Sequence, residues 1–221
     1  MLQKHLKRSG HKMDIKQIKR KLNSSVPYMT FFFIIVNVLI FVIEEIVGDS
    51  EAGDVVLKMG ALYMPKIKEG QWYRFLTACF LHFGYEHLAG NMLALFAVGP
   101  YVEGFFGHLK FTVIYLAAGL SGNAFVYLME QKSGEFNVTA GASGAIFGLF
   151  GVLIIFAFNR EMRETFPLPR VILGLILMFV PSFTEEGISI NGHIGGFLGG
   201  TLIGFLFYIY MENKKNYRRR N

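Results

Sequence analysis

The chain is poor in charge, in cysteine and, beyond its first quarter, in aspartate. Only 17% of its 221 residues are charged, against 52% hydrophobic, and its mean hydropathy is +0.40. That balance excludes an ordinary soluble domain of this size. Cys79 is the single cysteine, so no disulfide can form within the chain. Nothing near it in the sequence would stabilise a thiolate, which makes a buried, inert thiol a better reading than a nucleophile. The aspartates are Asp14, Asp49 and Asp54, all ahead of the second long apolar run. An aspartyl protease working inside the membrane needs two aspartates within its spans and is excluded. "YEHLAGN" does not supply the His-Glu-x-x-His of a zinc protease.

What is present is apolar sequence in long runs. Val26–Ile43, Phe111–Met129, Val138–Asn159 and Gly187–Met211 are uncharged or nearly so, and each reaches the roughly 18 residues needed to cross a bilayer core. Leu88–Val102 and Val171–Thr184 are shorter and would cross with help from their flanks. The expected fold is an all-α membrane protein of six spans. A basic cytoplasmic segment over residues 1–25 precedes one membrane domain over 26–211, and a basic tail over 212–221 follows.

The net charge of +6 sits mostly at the two ends. Basic flanks stay in the cytoplasm and are drawn to anionic lipid, a better reading than nucleic-acid binding. Ile15, Ile18 and Leu22 are spaced to line one helix face, so residues 13–22 are expected on the inner membrane surface. The first apolar run is too long for a cleavable signal peptide and reads as a signal anchor. Six spans with basic ends place both termini inside. Arg160, Arg163 and Arg170 agree in an inner loop, as do Glu185 and Glu186 in an outer one. A bacterial inner membrane suits this arrangement.

The second, fourth and sixth spans then run from outside to inside, and each opens with polar residues. "HFGYEHLAGN" gives His82, His87 and Asn91; "GASG" gives Ser143; "INGHIGG" gives Asn191 and His193. Gly144, Gly148 and Gly151 form one helix stripe, and Gly192, Gly196, Gly200 and Gly204 another. Such stripes let helices approach closely in lipid. On their own they are packing motifs, but stripe-to-stripe contact would bring Ser143 and His193 face to face. A serine and a histidine at one depth point to a nucleophile and its general base. With no acid near His193 inside the spans, the pair reads as a dyad. His87 and Asn91, four residues apart, share a face and can both donate hydrogen bonds to an oxyanion, as can the Ser143 amide. Taken alone, Asn91 is equally readable as an interhelical hydrogen bond. A metal held by His82, His87 and His193 is the weaker reading, because no carboxylate or thiol completes the set. No cofactor is called for.

Several motifs in order carry a resemblance. From about Leu57 to Phe207 the chain resembles the rhomboid intramembrane serine proteases. "GASG" matches the nucleophile motif at Ser143, and "GHIGGFLGG" matches the motif of the histidine, His193. "HFGYEHLAGN" matches the oxyanion motif with His87 and Asn91. "QWYRF", with Trp72 and Arg74, and "VEGFFG", with Glu103, are similar to structural signatures of the first loop and second span. The resemblance implies a six-helix rhomboid bundle whose first loop is partly inserted in the membrane. Val55–Leu57 and Ala61–Tyr63 are the apolar residues that would insert. It also implies a serine endopeptidase that cuts transmembrane segments of membrane proteins near the outer surface. Its partners would be such substrates and membrane lipid, with no nucleic acid. One departure stands at Phe147, where some members carry a tyrosine against which the histidine packs. The alternative from another class is a catalytically silent relative that binds membrane clients, although such relatives usually lack the serine or the histidine. A small transporter would carry its ionisable groups at mid-membrane.

Overall fold

A computed structural model describes residues 26–183 and 188–220. The basic segment 1–25, the surface helix expected over 13–22, and Glu185 and Glu186 lie outside the described residues. The described chain is helical, and its one β-type pairing is an isolated bridge between Leu62 and Thr139. Long helices are α1 (Tyr28–Val47), α5 (Gly84–Phe106), α6 (His108–Ser133) and α9 (Ile190–Arg220). Shorter ones are α2 (Gly53–Met59), α3 (Met64–Lys68), α4 (Arg74–Thr77), α7 (Ser143–Phe158) and α8 (Leu168–Phe179). Among the described residues four helices are long and apolar enough to cross a membrane: α1, α5, α6 and the part of α9 up to Lys214. α7 has 16 residues and α8 has 12.

Helix ends depart from the apolar runs for identifiable reasons. α1 continues past Ile43 to Val47 because the Glu44 carboxylate turns inward, where it accepts the His82 backbone N–H at 3.2 Å. The run beginning at Val138 is not helical until Ser143. Gly141 has φ +139°, a conformation side chains resist. The segment before α7 is extended instead, with Thr139 paired to Leu62 and the Gly141 N–H donating to the Ala78 carbonyl. Gly107, at φ +79°, is the single-residue joint between α5 and α6. α9 runs unbroken past residue 211, the expected end of the membrane domain.

α7 is the centre of the bundle. Thirteen of its residues are buried, including Ile146, Phe147, Leu149 and Phe156. A helix apolar on every side is stable only when surrounded, and α9, α6 and α5 supply the walls. α8 is the opposite case. Val171 is its one buried residue, and Ile172, Leu173, Ile176 and Leu177 are exposed.

The glycine stripes meet as expected. A Cβ at Gly196 would strike the Gly144 backbone, and one at Gly200 would lie 2.8 Å from the Gly148 carbonyl carbon. α6 joins the same contact, because a Cβ at Gly122 would lie 2.6 Å from the Gly192 carbonyl oxygen.

The loop between α1 and α5 is held by Arg74. Its guanidinium is buried and donates to the carbonyls of Leu57 and Ala61 and to Gln71 Oε1. Val55, Val56, Ala61 and Leu62, four of the residues expected to enter the membrane, are buried against protein. Their apolarity is satisfied by the fold itself. Trp72, Tyr73 and Leu76 are the exposed large hydrophobic side chains of this loop.

Candidate active site

Ser143 is the first residue of α7, so its N–H and the next ones have no partner within the helix. No side chain caps them, since Ala142 holds the cap position. These free donors give the helix start a partial positive charge beside the Ser143 hydroxyl. His193 stands in the first turn of α9, its N–H donating to the Ser189 carbonyl. Because the stripes let α7 and α9 touch backbone to backbone, the two side chains reach each other. His193 Nε2 lies 2.7 Å from Ser143 Oγ, across 50 residues of sequence. His193 is 2% exposed and Ser143 9%.

The histidine ring is held on several sides. Phe147, one turn along α7 from Ser143, stacks on it with centroids 4.2 Å apart and planes 16° from parallel. Phe179 of α8 meets it edge-on at 5.6 Å. That face of the ring is therefore covered by phenylalanine. Nδ1 lies 2.9 Å from Ser182 Oγ, on the 3-10 turn Val180–Phe183 that ends α8. The sequence reading left the second partner of His193 unassigned, and no spacing in the sequence pointed to Ser182.

His87 comes to the same place from α5. A Cβ on Gly141 would sit 3.0 Å from His87 Nε2 and 3.4 Å from Ser143 Oγ. The missing side chain at Gly141 thus leaves room between the two groups. The Phe83 backbone N–H points at His87 Nδ1 at 3.4 Å. Nδ1 then accepts and Nε2 carries the proton. That Nε2 is buried with no partner among the described residues, and so is Nδ2 of Asn91, one turn further along α5. Most buried polar atoms are hydrogen-bonded, so two unpaired donors on one helix face require a reason. His82, grouped with these residues in the sequence, packs edge-on against His87 at 5.1 Å and is fully buried behind it. Asn191 lines a neighbouring groove.

That groove has a volume of about 1530 Å³ and borders the site without including Ser143 or His193. Gly84, Glu86, Glu130, Thr139, Ser189 and Asn191 are among its walls. Cys79 lies elsewhere, buried, with its Sγ 3.2 Å from Asn123 Nδ2. Glu103 stands at the far end of α5 and accepts from the backbone N–H groups of Met29 and Thr30.

A bundle of membrane-length helices around a buried serine–histidine contact defines an integral membrane protein with a hydrolase-like site. Residues 69–210 match the Rhomboid domain, and the chain belongs to the rhomboid family. It is 38% identical over 175 residues to Rhomboid protease GluP of Bacillus subtilis, covering 79% of this chain and 34% of that protein. To the Putative rhomboid protease YdcA of the same organism it is 35% identical over 141 residues, 63% of this chain and 69% of that one. To Rhomboid-like protease 1 of Toxoplasma gondii it is 33% identical over 186 residues, 79% of this chain and 62% of that one. The chain thus spans about a third of GluP and somewhat under two thirds of the Toxoplasma protein.

Proposed function

We propose that this protein is an intramembrane serine endopeptidase with Ser143 as nucleophile and His193 as general base. The observation that carries the reading is the 2.7 Å contact between His193 Nε2 and Ser143 Oγ in a buried setting. Ser143 Oγ bonds to the peptide carbonyl carbon as its proton passes to Nε2. The carbonyl oxygen becomes an anion. Expulsion of the amine breaks the C–N bond, and His193 returns the proton to the leaving nitrogen. Water then repeats the sequence on the acyl-enzyme and frees Ser143. His87 Nε2, Asn91 Nδ2 and the Ser143 N–H are the donors for the oxyanion. The lack of a partner for His87 Nε2 and Asn91 Nδ2 among the described residues suits groups whose partner arrives with the substrate.

All six long apolar segments cross the membrane in this reading, with both termini in the cytoplasm of a bacterial cell. α7 is about 24 Å long at 1.5 Å per residue, less than the ~30 Å hydrocarbon core. Ser143 then lies recessed below the outer surface, at the foot of the extended segment that ends in Gly141. The substrates are transmembrane segments of other proteins. A helix in lipid satisfies its own backbone groups, so a segment must unwind locally to present a carbonyl, and segments with small or helix-breaking residues are preferred. The exposed Trp72, Tyr73 and Leu76 are the groups with which the first loop meets the outer leaflet.

The test uses purified protein and a reporter transmembrane substrate. Ser143→Ala and His193→Ala are each expected to remove cleavage while leaving melting behaviour unchanged. Cleavage by a folded Ser143→Ala protein overturns the assignment.

A further inference from the structure

We infer that Ser182 is the positioning residue of His193, fixing the flip of its ring and holding its Nδ1 proton. The inference rests on the Ser143–His193 reading above. To accept a proton from Ser143, Nε2 must have a free lone pair, and the neutral ring then carries its proton on Nδ1. That N–H is buried with the rest of the side chain. Among the described residues Ser182 Oγ is its hydrogen-bond partner, at 2.9 Å. Neither aromatic neighbour does this work. Stacking on Phe147 and the edge of Phe179 fix the ring plane. A half-turn of the ring within that plane's slot keeps both contacts but swaps nitrogen for carbon at each end. The hydrogen bond to Ser182 distinguishes the two orientations, and only one of them aims Nε2 at Ser143.

A hydroxyl also suits the setting. It accepts from Nδ1–H in both the neutral ring and the imidazolium formed during turnover, without placing a second charge in an apolar interior. A carboxylate doing the same work would have to be kept ionised there. Ser182 belongs to the turn that ends α8, a twelve-residue helix with Val171 as its one buried residue. The orientation of the general base is therefore set from outside the two helices, α7 and α9, that carry the reacting pair.

Ser182→Ala and Ser182→Thr in the full chain test this against Ser143→Ala. Loss of one orienting hydrogen bond is expected to lower kcat about tenfold, with KM changed by less than about twofold. Ser182→Thr, which keeps the hydroxyl, is expected to recover most of kcat. Nitrogen-15 NMR of histidine-labelled protein, with His193 assigned by its loss in His193→Ala, is expected to show the Nδ1–H tautomer in wild type and Ser182→Thr. Ser182→Ala should show a mixture. Wild-type kcat in Ser182→Ala overturns the inference, and so does a lower rate with an unchanged His193 signal, which would mark Ser182 as a packing residue. If Ser143→Ala is inert in either of those cases, the protease reading stands and the positioning role alone falls. If Ser143→Ala still cleaves, the protease reading falls first.

Discussion

The two ends of α5 carry buried polar groups in opposite conditions. At one end Glu103 is saturated. It accepts from the Met29 and Thr30 N–H groups at 2.8 Å each and from Thr30 Oγ1 at 2.6 Å, and His108 Nδ1 lies 2.5 Å away. These contacts satisfy the start of α1, whose first N–H groups have no partners in their own helix. At the other end His87 Nε2 and Asn91 Nδ2 have no partner among the described residues. Both ends are buried in the same bundle, so burial does not separate them. Satisfaction does. At these two ends the saturated group joins helices together, and the unsatisfied pair suits a partner that comes and goes.

The largest effect is expected where packing and chemistry share the same atoms. At Gly196 a Cβ would lie 2.6 Å from the Gly144 carbonyl carbon and 2.8 Å from its Cα. Both are backbone, so no rotamer change relieves the clash. Gly196→Val should push α9 from α7, lower the melting temperature and eliminate cleavage together. Thermal unfolding beside a cleavage assay checks this. Normal stability would mean that the stripe contact is looser than these distances state.

At the ends of α5 the two readouts should separate. In the proposed mechanism Asn91→Ala removes a donor that acts when charge develops on the carbonyl oxygen, so turnover should suffer more than substrate binding. One oxyanion donor is worth on the order of 3 kcal/mol, a hundredfold or more in rate. The melting temperature should barely change, because the atom removed has no partner to lose. Glu103→Ala should do the reverse. It leaves the Met29 and Thr30 donors unpaired, at about 1–3 kcal/mol for each buried group. Its surviving folded fraction should cleave at near the normal rate per molecule. If Asn91→Ala melts early and cleaves normally, satisfaction is the wrong criterion and Asn91 is a packing residue.

The sequence made the serine–histidine meeting legible because two small-residue stripes at helical spacing put Ser143 and His193 at corresponding places on facing helices. His87 and Asn91 were legible for the same reason, being four apart on one face. Ser182 was not. Its contact depends on how the turn after α8 lies over His193, and no periodicity fixes a turn. Glu44 was missed differently. The uncharged run stopped at Ile43, since hydropathy reads the charge of a residue and not the partner it finds. The helix continued because the carboxylate found the His82 N–H. The apolar run began at Val138, ahead of α7, because residues 138–142 look alike as helix or strand until Gly141 takes a positive φ. The loop residues Val55, Val56, Ala61 and Leu62 were apolar for a core, and the sequence does not say whether protein or lipid covers them.

The smallest effect is expected at Cys79. The residue is 3% exposed and resembles a reactive group only by its chemistry. Its Sγ packs against α6, where a Cβ on Gly119 would lie 2.8 Å away. The thiol belongs to a satisfied cluster, like Glu103. Asn123 Nδ2 donates to the Phe75 carbonyl at 2.8 Å as well as to Sγ at 3.2 Å. Cys79→Ala therefore leaves Asn123 its shorter bond to the Phe75 carbonyl and removes only the longer, weaker contact of its other N–H with sulfur. What is lost is one buried sulfur's packing, about 1 kcal/mol by analogy with removal of a single core methyl group. Cleavage should continue at nearly the wild-type rate, with a slightly lower melting temperature. A Cys79→Ala protein that folds normally and does not turn over would overturn both the assignment of Ser143 and the rule drawn from the ends of α5, since a saturated buried group would then have been doing the chemistry.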